Sequence, residues 1–345
     1  MVPPSVGRAV PFLLVAISCL LSGYASAQGD VESFYRGRTI DLNIGSPPGA
    51  SYDLYGRVAA RYMAKYIPGE PTIVIRHMPG AGGLKMTNWL YNAAPRDGTA
   101  LAVALHATAV EQALESEGIQ YDASKFSWIG RFSPVIEVSY TWLTSPTRTL
   151  ADSQSRETIM GGSSPTAPSI WYLKVLNVFA GTKFKIIPGY QGANDSHVAM
   201  ERGELEGTTK AWPTMKVQNA DLIRDKKINF LVQFGLEKAP ELPDVPLMSE
   251  LGRDDDERTA LRFYALGNAI GRALVGTPEI PRDRLEALRA AFNAMISDPE
   301  LQLEAKKLNI DVSPPLDGPG LEKVVAETLA TKRDVLTKAA KARRD

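Results

Sequence analysis

The sequence predicts an α/β protein built from two domains, each with a mainly parallel sheet. Strand-like and helix-like runs alternate along most of the chain, which is typical of βαβ units. Glycine-rich loops follow several predicted strands, at the edge where ligand sites of such sheets form. The chain has 345 residues, enough for two domains of about 150 residues each.

The first third of the chain carries the clearest alternation. Apolar residues Leu54, Val58, Tyr62 and Tyr66 recur every four positions, as on one face of a helix. The predicted strands here cover residues 39–44, 72–75 and 99–105, and the predicted helices cover 52–66 and 84–92. Because strand-helix-strand units form right-handed crossovers, we expect these strands to be parallel.

The remaining chain repeats this pattern and then becomes helical. The predicted strands cover 158–160, 184–187, 205–210 and 228–234. We interpret the acidic run Asp254–Glu257 as a solvated turn, because four adjacent carboxylates do not converge on a metal by themselves. The tail predicts helices beginning near Pro281 and Pro299 and one long last helix over 321–341.

The N-terminus has the pattern of a secretory signal peptide, residues 1–27. Arg8 precedes an apolar run over 11–21, and the small residues 25–27 form an A-x-A cleavage site. This run covers 11 residues, too short to span a bilayer as a helix, although a membrane anchor stays an alternative. Lipid attachment at Cys19 is a second alternative. We expect cleavage after Ala27, export to the periplasm and a soluble mature chain.

Composition excludes several classes of function. Cleavage removes Cys19, the only cysteine, so the mature chain has no disulfide and no thiol chemistry. The 39 basic and 39 acidic residues balance, so no overall field attracts nucleic acid. His77 and His197 lie far apart in sequence, and no spacing suggests a metal site. We expect no metal, no cofactor and no nucleic-acid partner.

Two loops are best placed to bind a ligand. Ser46–Asp53 and Met78–Gly83 each connect a strand to a helix, so both lie at the C-terminal edge of the sheet. Their glycines permit close backbone approach, and each helix start offers unpaired N–H groups. Neither loop contains Lys or Arg, so amides, hydroxyls, water and helix N-termini would hold a carboxylate there. Glycines that serve only tight turns are the structural alternative.

Seven short motifs follow one another between residues 34 and 330. They are Phe34–Ile40, Pro48–Asp53, Met78–Gly83, Ala94–Thr99, Pro188–Gly192, Glu201–Leu205 and Thr277–Pro281. Their order and spacing resemble the Bug-type substrate-binding proteins of tripartite tricarboxylate transporters. In that family, backbone amides and ordered water in the first two loops hold a ligand carboxylate. Ala50 stands where the family usually has a second glycine.

The resemblance implies a two-lobed periplasmic-binding-protein (Venus flytrap, type II) fold with a ligand cleft between the lobes. The first lobe would comprise residues 28–135 and 265–345, and the second 136–264. The implied first-lobe ligand residues are Ser46, Gly49, Ala50, Ser51, Tyr52, Asp53, Gly80, Ala81, Gly82 and Gly83. The implied second-lobe ligand residues are Gly162, Ser163, Ser164, Thr166, Tyr190, Gln191, Gly192 and Asn194.

Four further residues have two interpretations. His106 and Thr108 follow the third strand, which places them at the cleft as candidate ligand contacts, although a loop histidine is often only a hydrogen-bonded group. Asp53 fits capping of the helix start as well as it fits ligand contact. Trp212 offers a ring for stacking on a ligand, but packing is the preferred interpretation.

These observations favour a receptor over an enzyme. The sequence has no G-x-S-x-G motif and no mature cysteine, although a Ser-His-Asp site assembled by folding leaves a secreted hydrolase open. A periplasmic sensor lobe is the other alternative. We expect a monomeric receptor that captures a small organic carboxylate for the membrane permease components of a tripartite tricarboxylate-type transporter.

Overall fold

The computed structural model describes residues 30–162, 168–190, 193–308 and 310–344; the predicted signal peptide lies outside them. The strands are β1 (Thr39–Ile44), β2 (Thr72–His77), β3 (Ala100–Ala104), β4 (Ser127–Arg131), β5 (Glu137–Trp142), β6 (Thr158–Gly161), β7 (Phe184–Ile187), β8 (Gly207–Ala211), β9 (Ile228–Phe234), β10 (Ala273–Gly276) and β11 (Leu316–Asp317). The helices following β1 are α1 (Ser51–Tyr62), α2 (Leu84–Asn92), α3 (Thr108–Ala113), α4 (Leu150–Ser155), α5 (Pro168–Phe179), α6 (Ala193–Glu201), α7 (Trp212–Gln218), α8 (Ala220–Arg224), α9 (Asp255–Ile270), α10 (Arg282–Ile296), α11 (Pro299–Leu308), α12 (Gly318–Leu329) and α13 (Arg333–Arg344).

The strands form two sheets with the same internal order. In the first sheet the order is β11-β4-β10-β3-β1-β2, and in the second it is β7-β6-β8-β5-β9. Strand β1 pairs in parallel with β2 and β3, and β6 pairs in parallel with β7 and β8. In each sheet an antiparallel strand, β10 or β5, is inserted between the third and fourth parallel strands. The first sheet has a second antiparallel strand, β11, at its edge beside β4. The expected parallel βαβ units are therefore present in both halves.

Strand β3 shows how the sequence fixes a sheet buried on both faces. All five of its residues are buried. Leu101 and Val103 belong to one apolar cluster, whereas Ala100, Ala102 and Ala104 belong to another. Since successive side chains of a strand point to opposite faces, this alternation gives the first sheet an apolar layer on each side.

Two short crossing segments join the lobe around the first sheet to the lobe around the second. One is residues 132–136, between β4 and β5, and the other is residues 271–272, between α9 and β10. They lie side by side, because the Phe132 N–H donates to the Arg272 carbonyl at 2.9 Å and the Arg272 N–H donates to the Ser133 carbonyl at 3.0 Å. Gly271 has a φ of 63°, and a Cβ there would lie 2.1 Å from the Ser133 carbonyl oxygen. Only glycine fits this crossing.

Two predicted elements differ from the structure. Asp255–Glu257 form the first turn of α9 rather than a solvated turn, and the Asp254 carboxylate accepts a hydrogen bond from the Glu257 N–H at 2.8 Å. Acidic groups stabilise the positive end of a helix dipole, which explains the run. The single last helix predicted over 321–341 is two helices, α12 and α13, and α13 reaches α5, where the Lys174 ammonium donates to the Arg344 carbonyl at 2.9 Å.

Candidate ligand site between the lobes

A cavity of about 250 Å³ lies between the two lobes. Its described wall comes from the start of α1, the two crossing segments, α7 and the end of α11. Among the predicted ligand residues, Gly49, Ala50, Ser51 and Asp53 line it. The cavity therefore adjoins the first of the two loops that the sequence marks.

The first loop is held by Asp53. Its buried carboxylate accepts hydrogen bonds from the Gly49 N–H at 2.8 Å and the Arg57 Nε–H at 2.9 Å, and lies 2.8 Å from the His77 Nε2. Burial by itself would raise the pKa of Asp53, but these bonds outweigh it and lower the pKa below its usual value. No side chain caps α1 at Ala50, so the first N–H groups of the helix stay available.

The second loop packs tightly against the first. A Cβ at Gly45 would lie 2.9 Å from the Gly83 Cα, and a Cβ at Gly83 would lie 2.5 Å from the Leu105 side chain. Gly80, Ala81, Gly82 and Gly83 have φ values of 145°, 47°, 64° and 95°. A Cβ at Gly82 would meet no atom within 4 Å. Gly83 is thus needed for packing, whereas Gly82 leaves open space in front of the backbone.

His106 presents a buried donor beside these loops. The backbone N–H of His106 donates to the Tyr52 hydroxyl at 3.3 Å, and the same hydroxyl lies 2.7 Å from the ring nitrogen Nδ1 of His106. Burial, together with the Arg272 guanidinium, lowers the pKa of His106 to about 3, so the ring is neutral. Because the Tyr52 oxygen accepts the His106 backbone N–H, we assign the hydroxyl proton to the bond with Nδ1 and the imidazole proton to Nε2. That atom is buried and has no hydrogen-bonding partner among the described residues.

Arg272 brings a cation that the sequence analysis missed. Its Nε–H donates to the Ser51 hydroxyl at 3.1 Å, and its guanidinium lies 4.3 Å from the centre of the Tyr52 ring. The residue is 7% exposed, and its Nη1 has no hydrogen-bonding partner in the described part of the chain. In the sequence, Arg272 differs from its neighbours because it is a charged residue inside a run of small and apolar residues, 269–276, and this pattern could have indicated it.

The second lobe contributes an acid near this cation. Burial raises the pKa of Glu137 to about 7, and the Arg272 charge opposes the rise. Glu137 is the first residue of β5 and is partly exposed. Nearby, the Tyr172 hydroxyl donates to the Asn268 Oδ1 at 2.6 Å.

The structure brings most predicted first-lobe residues to one sheet edge. Ser46 has a buried hydroxyl without a partner among the described residues. The Thr108 hydroxyl donates to the Leu105 carbonyl at 2.7 Å, which is a helix-start contact. Of the second-lobe residues, Gly162 is buried, and the Tyr190 N–H donates to its carbonyl at 3.3 Å. Ser163, Ser164, Thr166, Gln191, Gly192 and the side chain of Asn194 lie outside the described residues.

His197 and Trp212, the other side chains considered for binding, contact residues of the protein itself. The His197 Nδ1 lies 3.4 Å from the Tyr140 hydroxyl, its Nε2 lies 3.4 Å from the Asn219 Nδ2, and Trp212 is buried with its ring against Phe230. In the described ranges, no group of three or more His, Cys, Asp or Glu residues is arranged to hold a metal ion.

Comparison with solved structures identifies the fold class. A TctC solute-binding protein from Polaromonas is 18% identical, with a TM-score of 0.66 over 88% of this chain and 99% of that chain. The periplasmic binding protein BugD is 17% identical, with a TM-score of 0.64 over 89% and 98%. MatC from Rhodopseudomonas palustris, solved with bound malate, is 20% identical, with a TM-score of 0.64 over 87% and 99%.

These likenesses define a two-lobed periplasmic-binding-protein fold, as the sequence predicts. Solved structures similar to this chain include TctC and Bug-type solute-binding proteins, which confirms at the level of the fold the resemblance drawn from the motifs. They are binding proteins rather than enzymes. No protein-family model and no curated protein matches the chain.

Proposed function

We propose that this protein is an extracytoplasmic receptor that captures a small carboxylate between its lobes. The observation that carries the proposal is the Arg272 guanidinium, which is buried beside the uncapped start of α1 with a donor unpaired in the described residues. A buried charge needs a partner of opposite sign, and a ligand carboxylate supplies one. The structurally similar proteins solved with malate and with adipate support this ligand class.

Several donors converge where the carboxylate would bind. Arg272 provides a charge-assisted bond, the His106 Nε2–H provides a neutral one, and the first amides of α1 add the positive end of a helix dipole. Hydrogen bonds to charged groups contribute about 1.5–3 kcal/mol each, so the loss of any one of these donors should weaken carboxylate binding about tenfold or more. The Tyr52 hydroxyl and the Ser51 hydroxyl hold two of these donors in place.

The cellular role follows from the same proposal. The signal-peptide pattern at 1–27 directs the chain to the periplasm, and no helix among the described residues is long and apolar enough to cross a membrane. The receptor would act as a monomer and deliver its solute to the permease of a tripartite tricarboxylate-type transporter. The limits of the lobes, 28–135 with 265–345 and 136–264, stay predictions.

Calorimetric titration tests carboxylate capture. We expect Arg272→Gln to weaken binding of a carboxylate at least about tenfold, because one charge-assisted bond is lost. The amide analogue of the same ligand should bind the wild-type protein equally poorly. Arg272→Lys, which keeps the charge, should retain part of the affinity and shows that the site still folds.

Arg61→Gln is the matched control, because Arg61 is an exposed arginine of α1 that pairs with Glu304 at 2.6 Å. Its affinity for the carboxylate should be unchanged. Equal affinity for acid and amide, or full affinity in Arg272→Gln, would contradict the proposal. Steady turnover of carboxylate esters would point to the hydrolase instead.

A further inference from the structure

The interlobe cavity has an apolar outer wall. Val217 on α7 and Leu308 on α11 line it from the two lobes, and they are 42% and 43% exposed. They are two of only five large apolar side chains exposed to this degree in the described part of the chain. Single exposed apolar side chains scattered over a surface are normal, but here two of the five face the same cavity. Leu54, Val135 and Ile310 extend the same wall.

Arg272 is the buried cation of the cavity, at 7% exposure. Two arginines and one aspartate line the described wall. Arg57 and Asp53 neutralise each other at 2.9 Å, which leaves Arg272 as the lining cation without an ion pair among the described residues. Lys216, close to the outer wall, lies 2.9 Å from Glu241 and is likewise neutralised. Thr214 and Gln218, close to Val217 on α7, add uncharged polar groups to the wall. The described wall therefore offers one cation without an ion pair, together with a set of apolar and uncharged polar side chains.

We infer that the solute is a monocarboxylate with an apolar body, an inference that rests on the proposed function and narrows it. The carboxylate would bind Arg272 and the start of α1, and the body would cover Val217 and Leu308. Each methylene buried there strengthens binding by roughly fourfold. A second carboxylate would find no further unpaired cation on the described wall, which disfavours dicarboxylates.

Ligands of equal chain length test this inference. We compare octanoate with octanedioate, and hexanoate with adipate, by calorimetric titration of the mature chain. Each monocarboxylate should bind at least about tenfold more tightly than its dicarboxylate. Octanoate should exceed hexanoate by about tenfold or more, because it adds two methylenes.

The outcomes separate this inference from the broader function. Tighter binding of octanedioate, adipate or malate, with dependence on Arg272, would overturn the monocarboxylate inference and leave carboxylate capture standing. Binding of none of these acids would overturn both.

Variants of the outer wall give a second test. Val217→Asp places an anion beside the apolar body and should weaken octanoate binding at least about tenfold, whereas Val217→Lys should tighten octanedioate binding and reverse the preference. Val198→Asp is the matched control, because Val198 is also a helix valine with 42% exposure and does not line the cavity. Equal octanoate affinity in Val217→Asp and Val198→Asp would overturn the inference.

Discussion

At the scale of single residues, Glu137 links stability to pH. Its folded-state pKa is about 7 against an ordinary value of 4.5, so the folded chain holds the proton more tightly than the unfolded chain. Glu137 therefore contributes a fall in the free energy of unfolding as pH rises through this window, whereas the lowered pKa of His106 contributes a rise below about pH 6.5. We expect Glu137→Gln to remove the fall, which is at most about 1.4 kcal/mol for each pH unit between the two pKa values.

Denaturant unfolding of the ligand-free protein at about pH 5 and about pH 8 measures this effect. Glu117→Gln serves as the control, because Glu117 is an exposed glutamate outside the cavity wall. It should keep the wild-type difference between the two pH values. The same difference in Glu137→Gln would show that Glu137 is not the group responsible.

The residues of the site were only partly predictable from sequence. Ser51 and Tyr52 were identified because they follow a strand and begin a helix, a position that local patterns reveal. Arg272 was not, because its contact with Ser51 joins residues 221 positions apart and depends on where β10 enters the sheet. The two loops contain no Lys or Arg, so the sequence predicts that amides, hydroxyls, water and helix N-termini hold a carboxylate there, and this stays a prediction. Folding adds the Arg272 guanidinium beside Ser51.

At the scale of elements, two neighbouring glycines of the loop between β2 and α2 have different surroundings. Gly83 packs tightly against Leu105, whereas Gly82 faces open space. Valine at Gly82 meets open space but must adopt a φ of 64°, which costs about 1–3 kcal/mol. We expect Gly82→Val to fold and to lose the roughly 2.7 kcal/mol of stabilisation that ligand at about 100 times its Kd gives the wild type. Thermal or chemical unfolding with and without the tightest-binding carboxylate measures this loss.

Gly181 provides the control for backbone strain. It lies between α5 and β7, away from the cavity wall, with a φ of 66°, and a Cβ there would meet no atom within 4 Å. Gly181→Val should lose similar intrinsic stability yet keep the full ligand effect. If Gly82→Val also keeps it, the second loop has a purely structural role.

Element prediction succeeded where one pattern acted alone. The strands at 39–44, 184–187 and 228–234 have the predicted bounds, because β-branched and aromatic runs between turn residues have few alternatives. The acidic run at 254–257 was misassigned because a helix N-terminus and a solvated loop both favour carboxylates. The break between α12 and α13 was missed because helical periodicity resumes after only three residues.

At the scale of the whole molecule, the two crossing segments define a hinge. Backbone pairings at Phe132, Ser133 and Arg272 hold them together, and the Val135 N–H donates to the Asn268 carbonyl at 2.9 Å. Such a short connection lets the lobes rotate while each sheet stays intact. We expect a saturating carboxylate to reduce the radius of gyration in solution X-ray scattering, since closure joins binding groups from both lobes. Arg272→Gln at the same ligand concentration should show no change, and an unchanged wild-type radius would contradict the hinge.

The placement of β10 also sets the order in which the protein acquires structure. Strands β3 and β4 do not pair with each other, because both pair with β10, whose residues 273–276 are synthesised long after them. The second sheet has no such gap, since all its described strands lie between 137 and 234. We therefore expect the N-terminal sheet to close after the central one, because it needs the pairing of strands farther apart in the sequence.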